Sequence, residues 1–284
     1  MTTVCLTFDF DAVSLWVSSF KQTTATPVSR GVFGAEVGVP RVLALLACHG
    51  IPATFFVPAH TAVSFPAALA AIRDGGHEIA LHGYCHETPV GFPREEEASL
   101  VDRSIAKLSR AVGGDFRPLG YRSPAWDLSA FSIELLEERG ILYDSSMMAR
   151  DITPYVAHKG HHADEDGFDP GLPSTVIEFP VAWELDDFPY FAFLNRPMFA
   201  GLRAPGEVFE IWREEFDFCH AAGGVFTLTL HPQVIGRGPR IAMLDRLVRH
   251  MLASGDVTFS TLANEAKVQR VRLLPPSVTA AAQS

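Results

Sequence analysis

The chain has 284 residues, 48% of them hydrophobic, which is enough apolar material for one large core or two small ones. With 33 acidic against 23 basic residues the formal net charge is −10 and no Lys/Arg-rich run interrupts it, which argues against nucleic acid or an anionic membrane as partner. No continuous apolar run reaches the roughly 18 residues of a membrane span.

In chain order, a strand over 4–10 comes first, so close to Met1 that a signal peptide is not expected. Pro40 opens a helix with Val42, Leu43, Leu45 and Leu46 on its apolar side, closed by Gly50. A strand over 53–57 follows, then a helix from Pro66 to Gly75-Gly76, and a strand over 77–81. The helix over 93–112 carries Glu95, Glu96 and Glu97 in its first turn, where the helix dipole favours them. A strand over 116–122, a helix over 129–139 and a strand over 141–144 come next. Residues 149–173 are long and polar and predict an active-site loop or lid. The pattern then resumes with a strand over 176–180, a helix over 205–222, a strand over 225–230, a helix over 240–253 and a strand over 257–260. Residues 273–284 carry two prolines and small residues without periodicity, and are expected to be a loosely held tail.

Strand–helix alternation implies parallel strands with helices outside, and seven or eight such units favour a single-domain (β/α) barrel over 1–272. An open nucleotide-binding sheet needs a Gly-rich loop after an early strand, whereas Gly75-Gly76 precedes one. Cys5, Cys48, Cys85 and Cys219 form no CxxC pair and suit reduced thiols in a cytoplasmic setting.

In such barrels chemistry gathers at the C-terminal strand ends. Five strands deliver polar groups there: Asp9 and Asp11, His82 and His86, Arg122, Asp144, and His231. In Thr7-Phe-Asp-Phe-Asp11 a period of two puts both carboxylates on one side and both phenylalanines on the other. Paired carboxylates repel unless a cation compensates, although a solvated turn gives the same pattern. His82 and His86, four apart, can converge on one metal from a helical turn or a tight loop, an arrangement that also arises by chance. His77-Glu78 fails as HExxH because His82 lies one residue too far, and Cys85 reads as a small buried residue. Arg122 either holds a carboxylate through a bidentate pair or is a surface charge. His231, where Pro232 turns the chain, reads as a catalytic acid against a structural histidine.

Together TFDFD (7–11), HGYCH (82–86), RSPAW (122–126), YDSS (143–146) and LHP (230–232) resemble the five motifs of the polysaccharide deacetylase (NodB-homology) family over roughly 2–266. The resemblance implies a distorted (β/α) barrel and a metal-dependent hydrolase of non-peptide C–N bonds. It implies Asp9 as general base, Asp11, His82 and His86 as ligands of a divalent metal with Zn²⁺ the first choice, Arg122 as the group orienting Asp9, and His231 as general acid. An acidic residue supports His231, with Asp144 and Asp151 both open. Pro124 and Trp126 shape the pocket wall, with Trp183 and Tyr84 as further pocket residues. Phe10 between the aspartates and Gly83 after His82 depart from secreted sugar deacetylases and are similar to a cytoplasmic branch, as are 30–34 and 183–187. That branch includes peptidoglycan deacetylases and hydrolases of cyclic imides and ureides. Three readings follow: an N-acetyl-sugar deacetylase with an open groove, a ring hydrolase with a small closed pocket, and a non-catalytic carbohydrate- or metal-binding barrel. The expected partners are a saccharide or small molecule and further copies of the chain in a dimer or tetramer.

Overall fold

A computed structural model of the chain describes residues 1–194 and 199–276. Its β-branched and aromatic runs form most of its strands. These are β1 (Thr2–Asp9), β2 (Thr54–Val57), β3 (Glu78–Leu81), β4 (Gly120–Tyr121), β5 (Tyr143–Asp144), β6 (Tyr155–Lys159), β7 (His162–Asp164), β8 (Gly167–Asp169) and β9 (Leu172–Glu178). After them come β10 (Phe193–Leu194), β11 (Phe199–Ala200), β12 (Val225–Leu230) and β13 (Val257–Phe259).

The main sheet runs β12-β1-β2-β3-β4-β5-β9-β6, with β13 added to the start of β1. Every pairing in it is parallel except β6 with β9. The sheet curls into an incomplete barrel. Across the seam, the Val225 N–H donates to Ile152 O at 2.9 Å and Asp186 forms a single parallel bridge with Thr229. The barrel is therefore distorted but single, with Phe8 stacked on Phe55 in its main core.

The expected lid over 149–173 is corrected. It holds β6, which pairs antiparallel to β9 and extends the sheet, and an exposed β7–β8 hairpin that forms a two-stranded sheet of its own. The polar composition misled because one side of this edge is solvated. The tail is shorter than expected: a helix runs over Leu262–Leu273 and Leu274 is buried, while 277–284 lie outside the described residues.

One helix is longer than its sequence signal. The segment expected from Pro40 begins at Ala25 and continues to His49 through a π-helical stretch over Gly34–Gly38. Gly31, Gly34 and Gly38 depress helix propensity and hid its first half. By length and composition alone this helix is apolar enough to cross a membrane, a match that the charged Arg30, Glu36 and Arg41 concealed in the run-by-run reading. Its glycines lie against the site loops. A Cβ on Gly31 would stand 2.5 Å from the Ala12 backbone, and one on Gly38 would stand 2.2 Å from Pro232 O. Gly38→Ala is therefore expected to destabilise. The roughly 0.5–1 kcal/mol of helix propensity it gains is outweighed by about 1–3 kcal/mol of overpacking. A fall in Tm of a few degrees, read by calorimetry, checks this; an unchanged or raised Tm contradicts the packing.

Candidate active site

At the C-terminal edge of the sheet the alternation of β1 is realised. Phe8 and Phe10 enter the core, while Asp9 and Asp11 converge on the histidines. Asp11 Oδ1 lies 3.4 Å from His82 Nε2 and 3.7 Å from His86 Nε2. That oxygen is buried and has no hydrogen-bond partner. A buried carboxylate oxygen without a donor is costly unless a cation sits beside it. The tautomers agree with a cation there. His82 Nδ1–H donates to the Arg122 carbonyl at 2.7 Å, which leaves Nε2 as a lone pair facing Asp11. Ser19 Oγ donates to His86 O at 2.9 Å and lies 2.7 Å from His86 Nδ1, so it accepts the Nδ1 proton and leaves that Nε2 free as well. The three side chains thus fit one divalent ion, and Cys85 is not among them.

Asp9 is held differently. Arg122, fully buried and lying 4.2 Å over the Phe56 ring, donates from one Nη to Asp9 Oδ1 and Thr7 Oγ1, each at 2.8 Å. Its other N–H groups donate to Ser145 O and Ser145 Oγ. The second Asp9 oxygen is left facing His82 Nε2 at 3.8 Å and His231 Nε2 at 4.0 Å.

His231 closes the far side of this space. Its Nδ1–H donates to Asp187 Oδ1 at 2.7 Å, and its backbone N–H donates to Asp187 Oδ2 at 3.0 Å. Asp186 lies 3.5 Å from the same ring nitrogen. Burial opposes charge on His231, but Asp186 and Asp187 outweigh it and hold the imidazole well above its ordinary pKa. On Asp11 burial likewise works upward and is overcome by His86, His82 and His231, which hold the carboxyl down at about 2. Burial pushes His86 down to about 4.

Four residues without glycine's freedom adopt left-handed backbone in these segments: Ala12 (φ 48°), His86 (φ 63°), Ala125 (φ 57°) and Trp126 (φ 58°). Each costs on the order of 1 kcal/mol or more, and their gathering on the segments that carry Asp11, His86 and Arg122 marks a functional site.

The family model for polysaccharide deacetylases matches residues 2–143. The chain belongs to that family. A peptidoglycan deacetylase of Helicobacter pylori is 32% identical to it over 275 residues, covering 90% of this chain and 93% of that protein. A Mycobacterium smegmatis crystal structure assigned to the same family superposes with a TM-score of 0.83 at 35% identity, over 96% of this chain and 92% of the other. Puue allantoinase shares the fold, with a TM-score of 0.75 at 22% identity over 94% and 89% of the two chains.

In this deacetylase-family chain the carboxylate behind His231 is neither of the two expected. Asp151 is exposed and accepts only from its neighbour's backbone N–H at Ile152. Asp144 accepts from Ser146 Oγ and lies beside Glu178 across the β5–β9 register. Both are corrected to Asp187, with Asp186 beside it. In sequence the 183–187 segment is similar to one branch and offers Trp183 as a pocket residue, but nothing in it assigns a role to Asp186 or Asp187; the bridge from Asp186 to Thr229 is a long-range contact that no local pattern announces. Ser19 and Gln233 were missed too. Gln233 Nε2 donates to Asp11 Oδ2 at 3.1 Å.

Of the expected pocket residues, Trp126 and Trp183 come together, centroids 4.4 Å apart, with Trp126 buried and Trp183 49% exposed. Pro124 is buried in the same turn as Trp126, near Gly83. Tyr84 carries Arg103 of the helix Arg94–Val112 over its ring at 4.1 Å and shows no ring contact with Trp126 or Trp183 among the described residues. Phe188, in edge contact with His231 at 5.4 Å, takes a place in the wall.

Asp144 and Glu178 form a buried pair of their own. Asp144 Oδ2 and Glu178 Oε2 have no donor, while Glu178 Oε1 accepts from the Ser146 and Met147 N–H groups. Two carboxyls so placed share a proton. Burial, reinforced by Asp144, raises Glu178 well above the usual carboxylate range, and burial raises Asp144 as well. The folded pair keeps a proton that the unfolded chain releases near pH 4, so its stabilisation is complete below about pH 4 and declines as pH rises toward the folded value. Glu178→Gln removes this titration. The Tm difference between Glu178→Gln and the parent is expected to grow in favour of the variant from pH 5 to pH 8; a constant difference contradicts the shared proton.

Proposed function

We propose that the chain is a metal-dependent deacetylase that removes N-acetyl groups from glycan sugars of the peptidoglycan class. The observation that carries this reading is the convergence of a free Asp9 oxygen, the unpartnered Asp11 Oδ1 with two histidine Nε2 atoms, and a carboxylate-backed His231 around one small space. Membership in the deacetylase family and the 32% identity to a peptidoglycan deacetylase support the substrate class.

Asp11, His82 and His86 would hold the ion, and Zn²⁺ suits an Asp/His₂ donor set. Such an ion lowers the pKa of a bound water and polarises an acetamide carbonyl. The chain's own residues do the rest. Arg122 fixes one oxygen of Asp9, so the other is aimed to accept the proton of the attacking water as the C–O bond forms. His231 enters protonated, held so by Asp187, and gives its Nε2 proton to the nitrogen as the C–N bond breaks. Acetate and a free amine result. The Trp126–Trp183 pair offers an aromatic face on which a sugar ring can stack.

One observation favours a second reading, a hydrolase of cyclic imides or ureides. None of Asp9, Asp11, His82, His86 and His231 is more than 7% exposed, and a closed site suits a small ring. Metal analysis with parallel assays on N-acetylated glycan oligomers and small cyclic imides separates the two. The expected result is roughly one equivalent of metal, acetate release from the oligomers, and loss of both in His82→Ala. Turnover of the imide alone selects the second reading; metal with neither activity indicates a binding barrel.

A further inference from the structure

Among the described residues six arginines of this acidic chain pair with carboxylates, whereas others, Arg103 over Tyr84 and Arg246 over Phe209 among them, rest on aromatic rings without an ion pair. Arg73, Arg94, Arg122, Arg139, Arg213 and Arg249 each pair with a carboxylate. Arg30, Arg41, Arg237 and Arg240 form no ion pair among the described residues, yet they gather on the flank of the loops that carry Asp187 and His231. Arg41 and Arg237 both lie over the Phe33 ring, at 6.0 and 3.6 Å. Arg30 lies 4.5 Å over Trp16, and Arg240 4.7 Å over Phe191. Burial and mutual repulsion hold Arg30 and Arg237 below the ordinary arginine pKa, Arg30 through Arg237 and Arg237 through Arg41. Arg240 also feels both Arg30 and Arg237. The carboxylate it feels, Asp187, is buried and committed to His231. Glu36, exposed on the same helix as Arg30 and Arg41, pairs with none of them.

Packing explains part of this arrangement. Arg30 donates to Phe193 O, Arg41 to Gly236 O, and Arg240 to Val234 O and Phe191 O. Each guanidinium has five N–H donors, so these bonds orient the groups and leave donors over. Arg237 is exposed, and beyond its place over Phe33 its side chain makes no hydrogen bond to the described residues, so its donors are left over.

We propose that Arg30, Arg41, Arg237 and Arg240 form a recognition site for an oxyanion, a carboxylate or phosphate group docking against their planar forks beside the active-site loops. Stacked, preoriented guanidiniums suit bidentate capture of such groups. Two sources share this chemistry: an acidic substituent on an extended sugar substrate, and a free phosphate-bearing molecule.

The test is a binding titration of the full chain, with arginine Nε–H resonances as the readout, so it does not depend on any activity. The probes are inorganic phosphate, N-acetylmuramic acid, which carries a carboxylate, and N-acetylglucosamine, which does not. Both anions are expected to shift the Arg240 signal, with affinity about tenfold or more weaker in Arg41→Ala/Arg237→Ala and unchanged in Arg249→Ala. N-acetylglucosamine should not move that signal. Tighter N-acetylmuramate assigns the anion to the substrate, and tighter phosphate assigns it to a free ligand. Anion affinity undiminished in the double variant, or no arginine shift at about 10 mM of either anion, overturns the proposal. Melting curves of both variants separate lost binding from lost fold.

Discussion

Asp9→Asn is expected to lower kcat by about 10²–10⁴-fold while the protein still takes up its metal. The amide keeps the shape of the side chain and can still accept from Arg122, but it cannot take a proton from water. Asp9 shares no close contact with His86, and the orphan oxygen of Asp11 is unaltered. Arg122 loses its buried counter-charge, a change that costs about 3–5 kcal/mol where no compensation exists. Here Ser145 and Thr7 continue to accept from it, so the fall in Tm should be smaller than that figure implies. Metal content by elemental analysis and single-turnover acetate release are the measurements. Near-normal turnover in Asp9→Asn would remove Asp9 from the base role, and loss of metal would make it a ligand.

Asp187→Asn is the second large effect. Asp187 spans both the Nδ1–H and the backbone N–H of His231, and it sets the tautomer and supports the charged ring. In a serine protease the corresponding Asp-to-Asn change behind a catalytic histidine costs about 10⁴-fold, chiefly through the wrong tautomer. A loss of about 10²–10⁴-fold in kcat is expected here, together with disappearance of the low-field Nδ1–H proton signal. Asp151→Asn should leave both unchanged, because that residue is exposed and bonds only locally. A variant at 187 that keeps the signal and the rate would return the choice of supporting carboxylate to Asp186, 3.5 Å from the same nitrogen.

The parts of the site legible in sequence are those fixed by local geometry. Asp9 and Asp11 follow from the period of two in β1, and His231 from a buried strand stopped by Pro232. The His82–His86 pair was legible as spacing, though the left-handed backbone at His86 that turns it inward was not. What stayed hidden depends on contacts across the chain. Ser19 reaches His86 from a π-helical turn over Leu15–Ser19, a geometry without a simple sequence signal. Asp187 stands 44 residues from the histidine it supports, whereas the two carboxylates the sequence offers, Asp144 and Asp151, lie in or near a contiguous motif. The eight expected strands lie where the sequence puts them, but β6, β7, β8, β10 and β11 do not show in it, and β4 is only two residues long, since Pro118 offers no N–H to the ladder.

The helix Ala25–His49 touches Ala12 and Pro232 through glycines, so backbone lies directly on backbone beside Asp11 and beside His231. The distance between the ligand loop and the acid loop is thereby fixed by a rigid rod, as by the frame of a vice. Neither loop can retreat to admit a larger ligand without lifting the helix. The opposite wall is built otherwise, from a half-exposed Trp183 resting on Trp126 in short turns. The cavity therefore has one fixed jaw and one adjustable jaw. Substitutions at Trp183 should change which substrates fit, whereas substitutions along the glycine face should change whether the machinery assembles.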